Sequence, residues 1–254
     1  MNQPGRGART KALLLAAGLG TRLRPLTDTV PKCLVDIAGR PLLDYWFDAL
    51  RDAGIRNVLV NTHHLPELAR RFIAGKNRQD FRTVETFEAK LLGSAGTTAA
   101  NALWADDADD VVIVYADNLS SVDIAELLAV HRQYGDPVTM LLFHAPNPRA
   151  CGIAELDGGG RIIAFEEKPA APTSDLANGG LYAVTAAAWR EIAGMKAFDM
   201  GFDVLPRFTG RMRGHIHGGY HRDIGDLDSL DAARKAAPGV FGRAVEQKQG
   251  RERR

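Results

Sequence analysis

Two glycines, two prolines and three cations crowd the stretch from Gly18 to Lys32 (GLGTRLRPLTDTVPK), the cations being Arg22, Arg24 and Lys32. Glycine lets a backbone approach a phosphate closely, and successive N–H groups in such a turn form an anion-binding nest. Arginine binds phosphate oxygens through two parallel donors, and lysine adds a compact point charge. The stretch therefore suits a polyphosphate. It is not a dinucleotide-binding GxGxxG, because Leu23 stands where the third glycine is needed, and the P-loop pattern GxxxxGK[ST] is absent. Taken alone, Gly-Leu-Gly is equally compatible with an ordinary turn.

Such a loop needs rigid elements to aim it. Lys11–Ala17 (KALLLAA) is a short apolar run ending at Gly18, the pattern of a strand buried on both faces. Ligands of doubly wound sheets bind outside the carboxyl ends of such strands. Downstream, helical spacing over Pro41–Ala53, Pro66–Ala74, Thr97–Trp104 and Val122–Tyr134 alternates with strands at Asn57–Asn61, Thr83–Thr86, Asp110–Tyr115 and Val138–His144. This alternation predicts an α/β fold: a Rossmann-like mixed, mostly parallel sheet flanked by helices. After Pro146 the style changes. Gly152–Leu156 and Arg161–Glu166, joined by Asp157-Gly158-Gly159-Gly160, predict a small β-hairpin subregion, followed by a strand at Gly180–Val184, a glycine-broken strand over Met212–His221 and a helix over Asp226–Ala237 with Asp226 as N-cap. The division expected is a disordered lead-in over residues 1–10, one domain over 11–241 and a charged tail over 242–254, with no internal repeat.

The string Leu13–Arg40 is more specific than its glycines. It resembles the signature loop of the sugar-1-phosphate nucleotidyltransferases, the family of mannose-1-phosphate guanylyltransferases and glucose-1-phosphate thymidylyltransferases; Gly18, Gly20, Thr21, Arg22, Leu23, Pro25, Leu26, Thr27, Pro31, Lys32, Gly39 and Pro41 match its pattern. Further blocks follow in the family's order: Leu92-Gly93-Ser94-Ala95-Gly96, Tyr115-Ala116-Asp117, Phe165-Glu166-Glu167-Lys168-Pro169, Asn178-Gly179-Gly180-Leu181-Tyr182 and His221-Arg222-Asp223-Ile224-Gly225. The departures (Cys33, Ser94, Ala116 and Asn118) remove no charged group that the chemistry requires.

The resemblance implies a fold of the nucleotide-diphospho-sugar transferase type, whose hairpin subregion binds sugar. It implies transfer of a nucleotidyl group from a nucleoside triphosphate to a sugar 1-phosphate, with release of pyrophosphate. Arg22 and Lys32 would be the catalytic cations. Leu15, Ala17, Gly18, Gly20, Thr21, Arg22, Glu88 and Gly93 would bind the nucleotide, and Gly152, Glu167, Lys168 and Asn178 the sugar phosphate. Asp117 and Asp223 would hold Mg²⁺, a hard cation that takes one or two carboxylates plus substrate phosphates. The acceptor oxygens of Glu88, facing the N–H donors of guanine, tilt the base toward GTP, with mannose or heptose 1-phosphate as co-substrate. The alternatives are a non-catalytic, nucleotide-sugar-sensing member of the same fold, or a uridylyl, thymidylyl or cytidylyl transferase.

Other clusters invite blander readings. His215, His217 and His221 form H-x-H-x3-H, but no cysteine or fourth ligand accompanies them, so a zinc site is disfavoured. His63-His64 with Glu67 lacks the HExxH frame, and Trp46, Phe47 and Leu50 suit a core. The 254 residues are 45% hydrophobic and 25% charged with a net charge of +1, which fits a globular enzyme and disfavours wholesale disorder or a nucleic-acid-binding surface. The partners expected are the two small substrates, without nucleic acid or membrane; a homo-oligomer is compatible. The isolated Cys33 and Cys151 read as reduced thiols, and no apolar run approaches the roughly 20 residues of a membrane helix, so the expected location is the cytoplasm.

Overall fold

The computed structural model describes residues 9–252, with side chains through Gly242. The lead-in expected over 1–10 falls outside the described residues as far as residue 8. β1 (Thr10–Leu15) comes first; after the cationic loop a small ladder joins β2 (Asp36–Ile37) and β3 (Arg40–Pro41). There follow α1 (Leu42–Asp52), β4 (Asn57–Thr62), α2 (Pro66–Ala74), β5 (Arg82–Phe87), α3 (Gly93–Ala100), β6 (Asp110–Tyr115), β7 (Asn118–Ser120), α4 (Ile124–Tyr134) and β8 (Val138–His144). The remainder is β9 (Gly152–Leu156), β10 (Arg161–Glu167), β11 (Leu176–Thr185), α5 (Ala186–Gly194), β12 (Met212–Ile216), β13 (His221–Asp223) and α6 (Leu227–Glu252).

One mixed sheet runs in the order β5-β4-β1-β6-β11-β8-β12-β10-β9. β5, β4, β1 and β6 are mutually parallel, as the βα alternation requires. β11 then enters antiparallel between β6 and β8, β12 runs parallel to β8, and β9 and β10 form the expected hairpin. Period two sorts the strand side chains between two cores. Ala12 and Leu14 of β1, Val112 and Val114 of β6, and Leu181 and Ala183 of β11 face α1, α2 and α4, meeting Trp46, Phe47, Leu50 and Leu127. The alternate residues Leu13, Val111, Ile113, Tyr182 and Val184 face α3 and α5, meeting Ala95, Ala188 and Trp189. A sheet covered on both faces explains why β1 and β6 read as continuous apolar runs.

Several boundaries differ from the sequence reading. The helix expected over Thr97–Trp104 starts earlier, at Gly93, because Gly93-Ser94-Ala95-Gly96 forms its first turn, and Ala102–Ala105 continue as a separate 3-10 turn. The glycine-broken segment Met212–His221 splits into β12 and β13. Asp226 caps α6 as expected: its Oδ1 accepts the Ser229 N–H at 2.8 Å. The backbone of α6 then continues helically to Glu252, into the segment read as a charged tail. No helix among the described residues is long and apolar enough to cross a membrane.

The far end of the sheet carries a buried titratable group. His131 of α4 is 1% exposed, and its Nδ1 shares a hydrogen bond with Thr139 Oγ1 at 2.9 Å. Burial pushes this imidazole below its ordinary value, with Arg132 adding to the shift and Asp110 and Asp136 opposing it. The unfolded chain therefore takes up a proton that the folded one resists, and stability is lost as the pH falls below the usual imidazole range. Urea midpoints measured at about pH 7.5 and about pH 5 should show this loss, and His131→Gln should reduce it. An unchanged pH difference in that variant would assign the acid sensitivity to other groups.

Candidate active site

The cationic loop is not structureless. It turns through three short 3-10 segments, Thr21–Leu23, Leu26–Asp28 and Lys32–Leu34. Gly20 makes the first bend possible: its φ is +63°, and a Cβ there would lie 2.8 Å from Thr27 Cγ2 and 3.2 Å from Lys32 Cβ. The Thr27 hydroxyl donates to the Gly20 carbonyl at 2.8 Å and closes the loop on itself. His64, just beyond β4, shares a 2.7 Å hydrogen bond through Nε2 with the Thr27 carbonyl. The loop is thus held against the carboxyl end of the sheet, with Leu23 fully buried under it and Arg22 exposed above.

This folding drives Lys32 inward until it is 7% exposed. Its Nζ donates to Asp117 Oδ2 at 2.6 Å and lies 3.7 Å from Asp223 Oδ1. The two aspartates, far apart in sequence, meet because β13 pairs antiparallel with β7 in a register that sets Asp223 opposite Asn118. The Ile224 N–H then donates to the Asp117 carbonyl at 3.0 Å. The surrounding protein and the charge of Asp117 push the Asp223 carboxyl up, while Lys32 and Arg22 pull it down. Arg22 reaches the same block from the opposite side: a Cβ on Gly225 would lie 2.8 Å from Arg22 Nη2. Two cations and two carboxylates from three chain segments therefore converge. A buried ion pair contributes little net stability, so folding alone does not account for the arrangement.

Beside them opens a cavity of about 300 Å³, lined by Leu15, Ala17, Gly18, Glu88, Gly93 and Asp117 among the expected residues. Glu88, expected to face a base with an open carboxylate, is instead 4% exposed. Its Oε1 accepts from Asn61 Nδ2 at 2.8 Å and from the Thr97 hydroxyl, and its Oε2 from the Leu92 N–H at 3.0 Å, so it braces the cavity wall and only Oε2 keeps a further acceptor site. Gly20, Thr21 and Arg22 stand above the cavity and do not line it. Gly152, Glu167, Lys168 and Asn178 form a second group on the hairpin side. Glu167 sits opposite Gly152 in the β9–β10 ladder, and burial pushes its carboxyl up, assisted by Asp199 and opposed by Lys168. Lys168 Nζ lies 5.8 Å from the Phe202 ring centroid. Asn178 donates to the Tyr182 hydroxyl at 2.8 Å and accepts the Gly180 N–H at 2.9 Å, so its side chain shapes the bulge of β11.

The sequence reading missed Asn61, Tyr115, Phe198 and Asp199, which also line the cavity. Asn61 ends a recognisable strand, and Tyr115 precedes the expected aspartate; Phe198 and Asp199 carry no motif. The three histidines do not gather into a metal-binding group among the described residues. The His221 ring packs 4.5 Å from that of Phe143, its imidazole is pushed down to about 4 by burial and His217, and no group of three or more metal-ligating side chains occurs among the described residues. Asp117 and Asp223 offer two hard oxygen ligands, which fit a magnesium ion completed by substrate phosphate and water. Both cysteines are free thiols; burial pushes that of Cys33 up to about 12.

Comparison with known proteins bears on this geometry. A family profile described as Nucleotidyl transferase matches residues 11–238. A glucose-1-phosphate thymidylyltransferase of Streptomyces antibioticus is 39% identical over 180 residues, 70% of this chain and 50% of that protein. The mannose-1-phosphate guanylyltransferase catalytic subunit beta of Danio rerio is 35% identical over 185 residues, 72% of this chain and 51% of that protein. A mannose-1-phosphate guanylyltransferase of Mycobacterium tuberculosis is 30% identical over 236 residues, 89% of this chain and 66% of that protein. The chain thus spans about half to two thirds of the length of these curated relatives. A crystal structure of a Bacillus anthracis protein, provisionally named a glucose-1-phosphate thymidylyltransferase, superposes with a TM-score of 0.80 at 23% identity, covering 90% of this chain and 95% of that one, a likeness of fold.

Proposed function

This chain belongs to the nucleotidyl transferase family, and on that premise we propose that it transfers a nucleotidyl group from a nucleoside triphosphate to a sugar 1-phosphate, releasing pyrophosphate. The observation that carries the reading is the meeting of Arg22, Lys32 and Asp223 around Asp117, which itself lines the cavity beyond the carboxyl ends of β1 and β6. The reaction is attack by a phosphate oxygen of the sugar phosphate on the α-phosphorus. The bond from α-phosphorus to the bridging oxygen breaks, and pyrophosphate leaves with the electron pair. Both reactants are anions, so positioning and charge neutralisation are the main demands. Arg22 and the loop amides hold the β- and γ-phosphates, Lys32 the α-phosphate and Lys168 the phosphate of the sugar. Asp117 and Asp223 would hold Mg²⁺, which when bound neutralises phosphate charge and orients the reacting oxygens. No general base is needed, because the attacking phosphate is already ionised near neutral pH.

For the base we propose guanine and for the sugar mannose or heptose. Glu88 lines the cavity and keeps one acceptor site on Oε2, complementary to a guanine N–H donor, and two of the relatives are named as mannose-1-phosphate guanylyltransferases. Pyrophosphate release across a matrix of nucleoside triphosphates and sugar 1-phosphates tests both levels. GTP with one of these sugar phosphates should be fastest. Turnover with UTP or dTTP far above that with GTP would overturn the guanine reading and leave transfer standing; no pyrophosphate with any pair would overturn transfer itself.

A further inference from the structure

Asp199 belongs to no recognisable motif, yet it is held more firmly than an incidental surface aspartate. Its Oδ1 accepts the Phe202 N–H at 3.0 Å and its Oδ2 accepts from the Ser94 hydroxyl at 3.2 Å. Ser94 Oγ in turn accepts the Met200 N–H at 2.8 Å, and the Ala95 N–H donates to the Phe198 carbonyl at 3.0 Å. The segment 198–200 is thereby stapled to the first turn of α3, and Asp199 forms cavity wall between Phe198 and Tyr115. Two residues on, Gly201 backs onto the hairpin side: a Cβ there would lie 2.5 Å from Glu167 Oε2. The staple therefore joins the cavity to Glu167 of the sugar-side group. Among the described residues neither Asp199 nor Glu167 has a cation within ion-pair distance, and the Glu167 carboxylate accepts no hydrogen bond.

A carboxylate is acceptor-only: the two oxygens of Asp199 each accept one bond and keep a further acceptor site, and Glu167 accepts none from the described residues. A ligand in the cavity can fill those sites with donors. Sugar hydroxyls supply them, while a sugar bearing its own carboxylate would meet two like charges. Resting on the transfer reading above, we propose that Asp199 is a specificity residue of the sugar subsite: it accepts a hydroxyl hydrogen of the sugar and, together with Glu167, selects neutral polyhydroxylated sugar 1-phosphates against uronic acid 1-phosphates.

The test compares full-length wild type with Asp199→Asn, which keeps the shape and the acceptor for Phe202, and with Asp199→Ser, which retains a capping oxygen if the amide variant folds poorly. Steady-state kinetics are measured with mannose 1-phosphate and with a hexuronic acid 1-phosphate, at saturating nucleoside triphosphate. The expected result is a KM for the neutral sugar raised about tenfold, a KM for the triphosphate within about twofold, and a preference for the neutral sugar over the uronic acid reduced about tenfold. A purely structural role would move the thermal midpoint and both KM values without moving that preference. An unchanged preference in folded, active variants overturns this inference alone. Transfer by the wild type to the uronic acid 1-phosphate but to no neutral sugar phosphate overturns this inference alone, and failure to transfer a nucleotidyl group to any sugar 1-phosphate overturns the transfer reading and this inference with it.

Discussion

Replacing Arg22 by alanine should lower turnover by about a hundredfold or more, the size of effect seen when one preorganised donor to a developing charge is removed. The expectation rests on where the side chain lies. Arg22 is exposed on the Thr21–Leu23 turn, and its guanidinium packs over Gly225 beside Asp223. It fills no core position, so the thermal midpoint should stay within a degree or two of wild type, as for an ordinary surface substitution. On the function proposed above, what is lost is charge aimed at the departing pyrophosphate. Turnover and thermal unfolding measured on the same preparation decide the matter. Near-wild-type turnover would remove Arg22 from the mechanism, and a parallel loss of folded protein would make its role structural.

The second large effect concerns the aspartates. Without a cation beyond Lys32, Asp117 and Asp223 would repel two anionic substrates and oppose Arg22. The pair is therefore intelligible as a divalent-metal site. EDTA should abolish activity and Mg²⁺ restore it. Asp117→Asn and Asp223→Asn should each lose most activity, since the amide keeps the shape and removes the charge. Asp117→Asn should be at least as severe, because Asp117 also fixes Lys32 through the 2.6 Å bond. The double variant should be little worse than either single one, as both substitutions disable the same site. Full activity in EDTA, or two cleanly additive losses, would show that these residues do not share a catalytic ion.

The N-terminal half of this architecture was legible because its signals are local. β1, β6 and β8 are short apolar runs with turn residues at their ends, and the faces of α1 and α4 follow helical spacing. β6 and β8 match their expected bounds residue for residue. The charged residues of the site were legible because each lies in a compact motif. The antiparallel insertion of β11 between β6 and β8 was not, since strand order depends on long-range pairing that periodicity does not encode. Nor was the role of β13: a three-residue strand has little pattern of its own, and its register with β7 is what carries Asp223 to Asp117. Asp199 was invisible for a similar reason, because its partner Ser94 is remote in the chain. For Glu88 the residue was found but its surroundings were not. Asn61, Thr97 and the Leu92 N–H turn it into a brace of the wall.

The central claim is that the converging cations and aspartates serve transfer at the α-phosphorus. Phosphorus NMR of the purified protein with GTP, mannose 1-phosphate and Mg²⁺ tests it directly. The account predicts that the signals of both substrates decay together while a nucleotide-sugar diphosphate and pyrophosphate appear in equal amounts, and that omission of the sugar phosphate stops the decay of GTP. Release of inorganic phosphate from GTP without the sugar phosphate, or loss of GTP with no phosphorus shared between nucleotide and sugar, would contradict it.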